Sequence, residues 1–80
     1  MQPHNRTPPR VLDLRGLACP LPVLKTRKTL LEMASGAELE VLSSDPVALR
    51  DIPEYAQSAG HELLAVVAEG DAWRFRLRRG

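Results

Sequence analysis

Cysteine is scarce in this sequence, and the scarcity limits the chemistry that the chain can perform. Cys19 is the only cysteine among the 80 residues, so the chain can form neither an internal disulfide nor a Cys-x-x-Cys redox pair. No cluster of cysteine and histidine indicates a structural zinc site, and no glycine-rich phosphate loop is present. We therefore expect neither a metal nor a cofactor.

Aromatic residues, long apolar runs and excess charge are also scarce. With one Trp, one Tyr and one Phe, the core must be built from aliphatic side chains. No stretch approaches the roughly 20 apolar residues that cross a bilayer, and we expect no signal peptide. The 11 basic and 10 acidic residues nearly balance, which argues against direct nucleic-acid binding. We expect a cytoplasmic monomer, in a reducing compartment where a lone thiol stays free.

The order of predicted elements is β-α-β-α-β-β. Residues 1–10 hold three prolines and predict a flexible N-terminal tail, which leaves residues 11–80 as a single domain. The remaining pattern predicts strands over 11–15, 38–43, 63–68 and 73–78, and helices over roughly 20–34 and from Asp45-Pro46 to Ala59. We expect Gly36 and Gly60 to close the helices, and Pro53 to kink or break the second one. So short a chain predicts an α+β fold, a two-layer sandwich with both helices on one face of a four-stranded mixed sheet.

Alternation in the strands separates a core face from an open face. The residues predicted to face the helices are Leu12, Leu14, Leu39, Val41, Trp73, Phe75 and Leu77. The residues predicted on the open face are Asp13, Arg15, Glu38, Glu40, Arg74, Arg76 and Arg78. The open face is either a solvated surface of cross-strand ion pairs or a docking surface for an acidic partner or RNA.

The segment Cys19-Pro20-Leu21-Pro22 is the most informative part of the sequence. Pro20 and Pro22 suit the first turn of a helix, where amide hydrogens lack partners. Cys19 is then expected at the cap position, where the helix dipole would lower the pKa of the thiol. Arg15 and Lys25 would act in the same direction if they approach, and Leu21 is expected to point outward as an apolar contact for a partner. The alternative is that Cys19 is a buried apolar residue.

The two histidines offer little support for a self-sufficient catalyst. His4 lies in the predicted tail, and His61 lies at a strand entrance about 40 residues after Cys19. His61 is either a strand-edge residue or the partner of Cys19 in a Cys-His pair, which needs a spatial contact that spacing does not demonstrate. A reactive thiol without an acid, base or cofactor suits a carrier better than a self-sufficient enzyme.

Arg27 falls near the middle of a predicted apolar stripe of the first helix. Placed at about 100° per residue, the stripe consists of Val23, Leu24, Leu30, Leu31 and Ala34. Arg27 is either an arginine that snorkels or pairs at the helix–sheet seam, or a cation that holds a carboxylate of a loop or partner. Lys25 and Lys28 flank it and could steer an acidic partner.

The segment from Leu12 to Pro22, which reads LDLRGLACPLP, resembles the signature of the TusA (SirA-like) sulfur carriers. Residues 27–29, 45–46, 50–53 and 61–63 also match that family's pattern, so the resemblance covers about residues 11–79. It implies the same two-layer fold, and a sulfurtransferase in which Cys19 accepts persulfide sulfur from a cysteine desulfurase while Pro20 and Pro22 shape its helix.

In the founding member, as the resemblance implies, the sulfur passes through a relay to 2-thiolation of the wobble uridine of tRNA. Other members serve sulfur oxidation, molybdenum-cofactor supply or selenium metabolism. The founding member has an acidic residue where this chain has Leu21, so the resemblance does not fix the acceptor protein. A different class of function stays open, a non-catalytic regulatory or binding module for RNA or protein that uses Arg74, Arg76 and Arg78 on the open face.

Overall fold

The computed structural model describes residues 8–80, so His4 and most of the predicted tail lie outside the described residues. Six elements follow one another: β1 (Arg10–Asp13), α1 (Leu21–Leu31), β2 (Glu38–Ser43), α2 (Ala48–Ala59), β3 (Glu62–Glu69) and β4 (Ala72–Arg78). The strands form one sheet in the order β1-β2-β4-β3, with β1 parallel to β2 and the other neighbours antiparallel. The predicted α+β fold with a mixed four-stranded sheet is confirmed.

The core lies between the two helices and one face of the sheet. Leu39, Val41, Phe75 and Leu77 are fully buried there, as the alternation of β2 and β4 predicted. The helices cover these side chains with Leu30, Ala48, Ile52 and Ala56. Burial of each large side chain stabilises the fold by about 1.5–3 kcal/mol, which is how so short a chain holds together with few aromatic residues.

Helix α1 is shorter than the range of 20–34 that the sequence predicted. Its last turn tightens, because the amides of Glu32 and Met33 donate to the carbonyls of Thr29 and Leu30, three residues back, at 3.1 Å each. Gly36 then takes a positive φ of 87° and turns the chain into β2. Gly36 therefore lies in the turn after the helix and does not cap it directly.

Helix α2 departs from the prediction in two places. It begins at Ala48, because Pro46 and Val47 form a separate turn in which the Oδ1 atom of Asp45 accepts the Val47 amide at 3.1 Å. Of the kink or break expected at Pro53, the break is wrong, since one helix continues through this residue. The missing amide of Pro53 costs one backbone hydrogen bond, in a helix that three buried side chains anchor to the core.

The C-terminal end of α2 follows the prediction. Gly60 adopts the left-handed conformation, with φ of 80°, and the His61 amide donates to the Ala56 carbonyl at 2.8 Å. Within residues 8–80, neither helix has the length and apolar character that a membrane crossing requires.

The open face of the sheet carries a network of ion pairs. Arg74 contacts Glu40 and Glu69 at 2.9 and 2.7 Å. Arg76 contacts Glu38 at 2.8 Å, while Arg78 contacts Glu38 and Glu62 at 3.3 and 2.9 Å. Each of the three guanidinium groups is thus engaged by carboxylates, which favours the ion-pair interpretation of this face over the docking interpretation. Pairs of this exposure contribute about 0–1 kcal/mol each.

Candidate functional site

The candidate site lies where the β1–α1 and β2–α2 loops meet. Because β1 and β2 are parallel and adjacent, their carboxyl ends share one edge of the sheet and their following loops lie side by side. Two contacts join the loops: the Gly16 amide donates to Oγ of Ser44 at 2.9 Å, and the Cys19 amide donates to Oδ2 of Asp45. The backbone of Cys19 is therefore held by residues of the second loop.

The Cys19 side chain is exposed at this junction. Its Sγ atom donates to Oδ2 of Asp51 on α2, at 3.6 Å. The other oxygen of Asp51 pairs with Arg50 at 3.1 Å. The interpretation of Cys19 as a buried apolar residue is wrong, since the residue is exposed.

Cys19 does not occupy the cap position that the sequence predicted. Helix α1 begins at Leu21, and Pro20 is its cap. The helix also offers few free amides, because Pro20 and Pro22 have no N–H and the Leu21 amide donates to the Ala18 carbonyl at 2.9 Å. The two prolines stand at the helix start, and because they lack amide hydrogens they leave little of the positive helix terminus for the sulfur.

The pKa of Cys19 shifts in the direction opposite to the prediction. Partial desolvation of the thiol raises its pKa, and the carboxylate of Asp51 adds to the rise through its hydrogen bond and its charge. Asp45 raises the pKa further. The opposing cation is Arg50, not the predicted Arg15 and Lys25. Arg15 is engaged elsewhere, in an ion pair of 2.7 Å with Asp13.

The surface around the sulfur is too shallow to enclose a small molecule. The depression there has no room for a water molecule. A groove of about 730 Å³ lies elsewhere, between Arg10, the α1–β2 turn and the ends of β2 and β4, and Cys19 does not line it. Among residues 8–80, no group of three or more His, Cys, Asp or Glu residues could hold a metal ion.

The face of α1 that packs on the core differs from the predicted stripe. The buried residues are Pro22, Thr26, Thr29 and Leu30. Thr26 tolerates burial because its hydroxyl donates to the Pro22 carbonyl at 2.8 Å. Leu24 and Leu31, which the stripe included, are 49% and 54% exposed. Arg27 is exposed too, so it does not lie at the helix–sheet seam.

The residues predicted to meet a partner all lie on the solvent side of α1. Leu21, directly after the Cys19-Pro20 bond, is 42% exposed, as expected. Lys25, Arg27 and Lys28 are exposed as well, and within the described part of the chain they form no ion pair with a carboxylate. We call Leu21, Lys25, Arg27 and Lys28 the α1 surface.

His61 is separate from the thiol. Its Nδ1 atom accepts the Gly80 amide at 3.0 Å, so the proton is on Nε2 and is donated to the Tyr55 hydroxyl at 3.3 Å. Desolvation lowers the pKa of His61, and the charge of Arg79 lowers it further. These contacts favour the strand-edge interpretation over a Cys-His pair.

Comparison with known proteins assigns the family. The model of the family described as Sulfurtransferase TusA matches residues 10–79. The chain belongs to this family. A solved structure of a SirA-like protein from Desulfitobacterium hafniense has the same fold, with a TM-score of 0.78 and 21% identity over 88% of this chain and 96% of that one.

Three relatives carry the name "putative sulfur carrier protein". YrkI of Bacillus subtilis is 42% identical over 71 residues, which cover 89% of this chain and 95% of YrkI. A protein of Archaeoglobus fulgidus is 45% identical over 69 residues, covering 86% of this chain and 94% of the relative. YrkF of Bacillus subtilis is 43% identical over 70 residues, and the match spans only 38% of that longer protein.

Two residues of the site were missed as neighbours of the sulfur. The sequence indicates Asp45 as the start of a helix and as part of the family pattern, and it indicates Asp51 as part of that pattern alone. A signal for Asp45 existed, because the predicted β-α-β order favours parallel pairing of the first two strands, and such pairing brings the loops after them together. For Asp51 the sequence holds no such signal, since its position depends on how α2 packs.

Proposed function

We propose that this protein is a sulfur carrier that holds a persulfide on Cys19 and transfers the outer sulfur to another protein. The observation that carries the proposal is the exposed thiol of the Cys-Pro-x-Pro segment, at the junction of two loops, in a chain that belongs to the TusA family. The names of its relatives as sulfur carriers support the same role.

The chemistry requires only one nucleophilic sulfur in this chain. The thiolate of Cys19 attacks the outer sulfur of a donor persulfide, so that a bond from Sγ to that sulfur forms as the donor's S–S bond breaks. The donor cysteine leaves as a thiol after taking the proton that Cys19 loses. No net oxidation occurs. Unloading is the same reaction with the roles exchanged. The thiolate of an acceptor cysteine attacks the outer sulfur, and Cys19 is the leaving group.

The partners in this proposal are proteins. A cysteine desulfurase is the donor, and a downstream relay protein is the acceptor, as in the relay that ends in tRNA wobble-uridine 2-thiolation, with the cytoplasm as the compartment. The shallow surface at Cys19 supports a macromolecular partner, because nothing there would enclose a small substrate. Activity as a sulfurtransferase therefore depends on the partners.

We propose the α1 surface as the docking site for these partners. Leu21 supplies an apolar contact beside Cys19, and the cations Lys25, Arg27 and Lys28 favour an acidic surface opposite them. The alternative module that binds through the open face has less support, because Arg74, Arg76 and Arg78 are already engaged by carboxylates.

Transfer of radioactive sulfur tests the proposal against that alternative. The protein is incubated with a cysteine desulfurase and ³⁵S-cysteine, and labelling is followed on a non-reducing gel. We expect a label that dithiothreitol removes and that Cys19→Ser lacks, while Arg74→Ala keeps it. Equal labelling of the wild type and Cys19→Ser would contradict the proposal.

A further inference from the structure

Two carboxylates contact Cys19, one at its sulfur and one at its backbone amide. Oδ2 of Asp51 lies 3.6 Å from Sγ, and Oδ2 of Asp45 accepts the Cys19 amide. The guanidinium of Arg50 binds the far oxygen of Asp51, Oδ1, at 3.1 Å. These three groups are the charges that act most directly on the thiol, and two carboxylates with one guanidinium leave a net charge of −1 around the sulfur.

We propose that Asp51, supported by Asp45, makes Cys19 discriminate against small anionic reactants such as sulfite and thiosulfate, in favour of neutral and protein-borne sulfur groups. The inference rests on the proposed function, and it adds a selection among sulfur donors and acceptors. Asp51 is the specificity residue because its oxygen is the one in contact with the reacting sulfur.

The physical basis is repulsion at short range. An anion that reaches Sγ must approach the Asp51 carboxylate to within a few ångströms, where the interaction of like charges at a protein surface is only partly screened by water. Arg50 offsets the effect only in part, because it binds Oδ1 of Asp51 while Oδ2 contacts the sulfur, and Asp45 adds a second negative charge. A protein partner is not excluded in this way, since it can place a cationic side chain beside Asp51 as it docks.

The reaction that Asp51 would slow is the removal of the outer persulfide sulfur by sulfite. A lone pair of sulfite attacks the outer sulfur, a new S–S bond forms, and the bond from that sulfur to Sγ breaks. Sγ keeps the electron pair and takes the persulfide proton, and thiosulfate leaves. Because the attacking ion is a dianion, two flanking carboxylates slow this loss and retain the sulfur for a docked acceptor.

The test compares two alkylating reagents that differ in charge. Iodoacetamide is neutral, iodoacetate is an anion, and both react with the thiolate, so the ratio of their rates does not depend on the thiolate fraction. We expect the rate with iodoacetamide divided by the rate with iodoacetate to be several-fold higher for wild-type Cys19 at low salt than for N-acetylcysteine amide. Asp51→Asn should bring the ratio towards the value for the free thiol. Glu32→Gln, which removes the same charge at the far end of α1, should leave it unchanged.

A second arm needs no variant. In the wild type, an increase of NaCl from about 10 mM to about 0.5 M should reduce the ratio, because the Debye length shortens several-fold. Equal ratios in the wild type and Asp51→Asn, or a ratio insensitive to salt, would overturn the discrimination. Alkylation requires no sulfur donor, so that result would leave the carrier function standing. If the alkylation ratio shows the expected discrimination but a cysteine desulfurase loads no sulfur onto Cys19, the carrier function is overturned instead.

Discussion

The Sγ atom of Cys19 donates a hydrogen bond to Oδ2 of Asp51, although the two residues are 32 positions apart in the chain. The contact joins the loop before α1 to the first turn of α2. It gives the thiol an anionic neighbour in place of the positive helix end that its sequence suggests. The electrostatic environment of the Cys19 thiol therefore includes a residue of α2 as well as its own Cys-Pro-x-Pro segment.

The first prediction concerns the pH at which Cys19 becomes reactive. Since the Asp51 carboxylate disfavours the thiolate, it raises the pKa of the thiol. Asp51→Asn should therefore shift the midpoint of the rate of iodoacetamide alkylation to lower pH, and should increase the rate at neutral pH. Glu32→Gln serves as the charge-matched control. An unchanged or higher midpoint in Asp51→Asn would show that the carboxylate does not control the thiol.

The second prediction concerns the two hydrogen bonds that Asp45 accepts. Oδ1 holds the Val47 amide at 3.1 Å, and Oδ2 holds the Cys19 amide. Asp45→Ala should lower the free energy of unfolding by about 1–2 kcal/mol, the usual effect of losing such a cap. Urea denaturation measures the loss. Asp71→Ala, an exposed carboxylate in the β3–β4 turn, should change it by less than about 0.5 kcal/mol, and equal losses would argue against the bridging role of Asp45.

The third prediction tests which face of α1 is buried. Leu30 is fully buried and its neighbour Leu31 is 54% exposed. The same leucine-to-alanine change can therefore be measured in a buried and in an exposed environment. Leu30→Ala should reduce the free energy of unfolding by about 2–5 kcal/mol. Leu31→Ala should change it by less than about 0.5 kcal/mol. Thermal or urea unfolding measures both free energies. A larger loss of stability in Leu31→Ala than in Leu30→Ala would show that the predicted apolar stripe is the buried face.

The fourth prediction concerns docking through the α1 surface. Lys25 lies about one helical turn after Leu21 and carries an exposed charge. Lys25→Glu should weaken binding of a cysteine desulfurase and slow sulfur loading, with no loss of stability and with less effect at high salt. Arg10→Glu makes the same charge change at the start of β1. If both variants lose the same affinity, net charge and not the α1 surface governs binding.

Strands β2 and β4 were predicted well, because alternation in a sheet with one buried face has a single solution, whereas β1 covers Arg10–Asp13 and not the predicted 11–15. Strand β2 has the bounds that the sequence predicted, and its core residues Leu39 and Val41 are fully buried. A shift of one residue would have exposed both leucine and valine and buried Glu38 and Glu40. The faces of β2 and β4 could therefore be assigned from the sequence alone.

Helix α1 was harder because its leucines do not define one face. Leu21, Leu24 and Leu31 lie on the exposed side, while Thr26 and Thr29 are buried. A threonine that bonds a carbonyl of its own helix loses little on burial, and a pattern of apolar residues does not record that. The environment of Cys19 was missed for a related reason, since Asp51 reaches the sulfur only through the packing of α2 on the sheet.

The central claim is that Cys19 carries the sulfur, and the intact mass of the protein tests it most directly. The full chain is incubated with a cysteine desulfurase and cysteine, separated from small thiols and weighed before and after treatment with dithiothreitol. We predict a gain of one sulfur atom that is removed by the reductant, maps to the peptide containing Cys19 and is absent in Cys19→Ser. No gain in the wild type, or a gain that persists in Cys19→Ser, would contradict the claim.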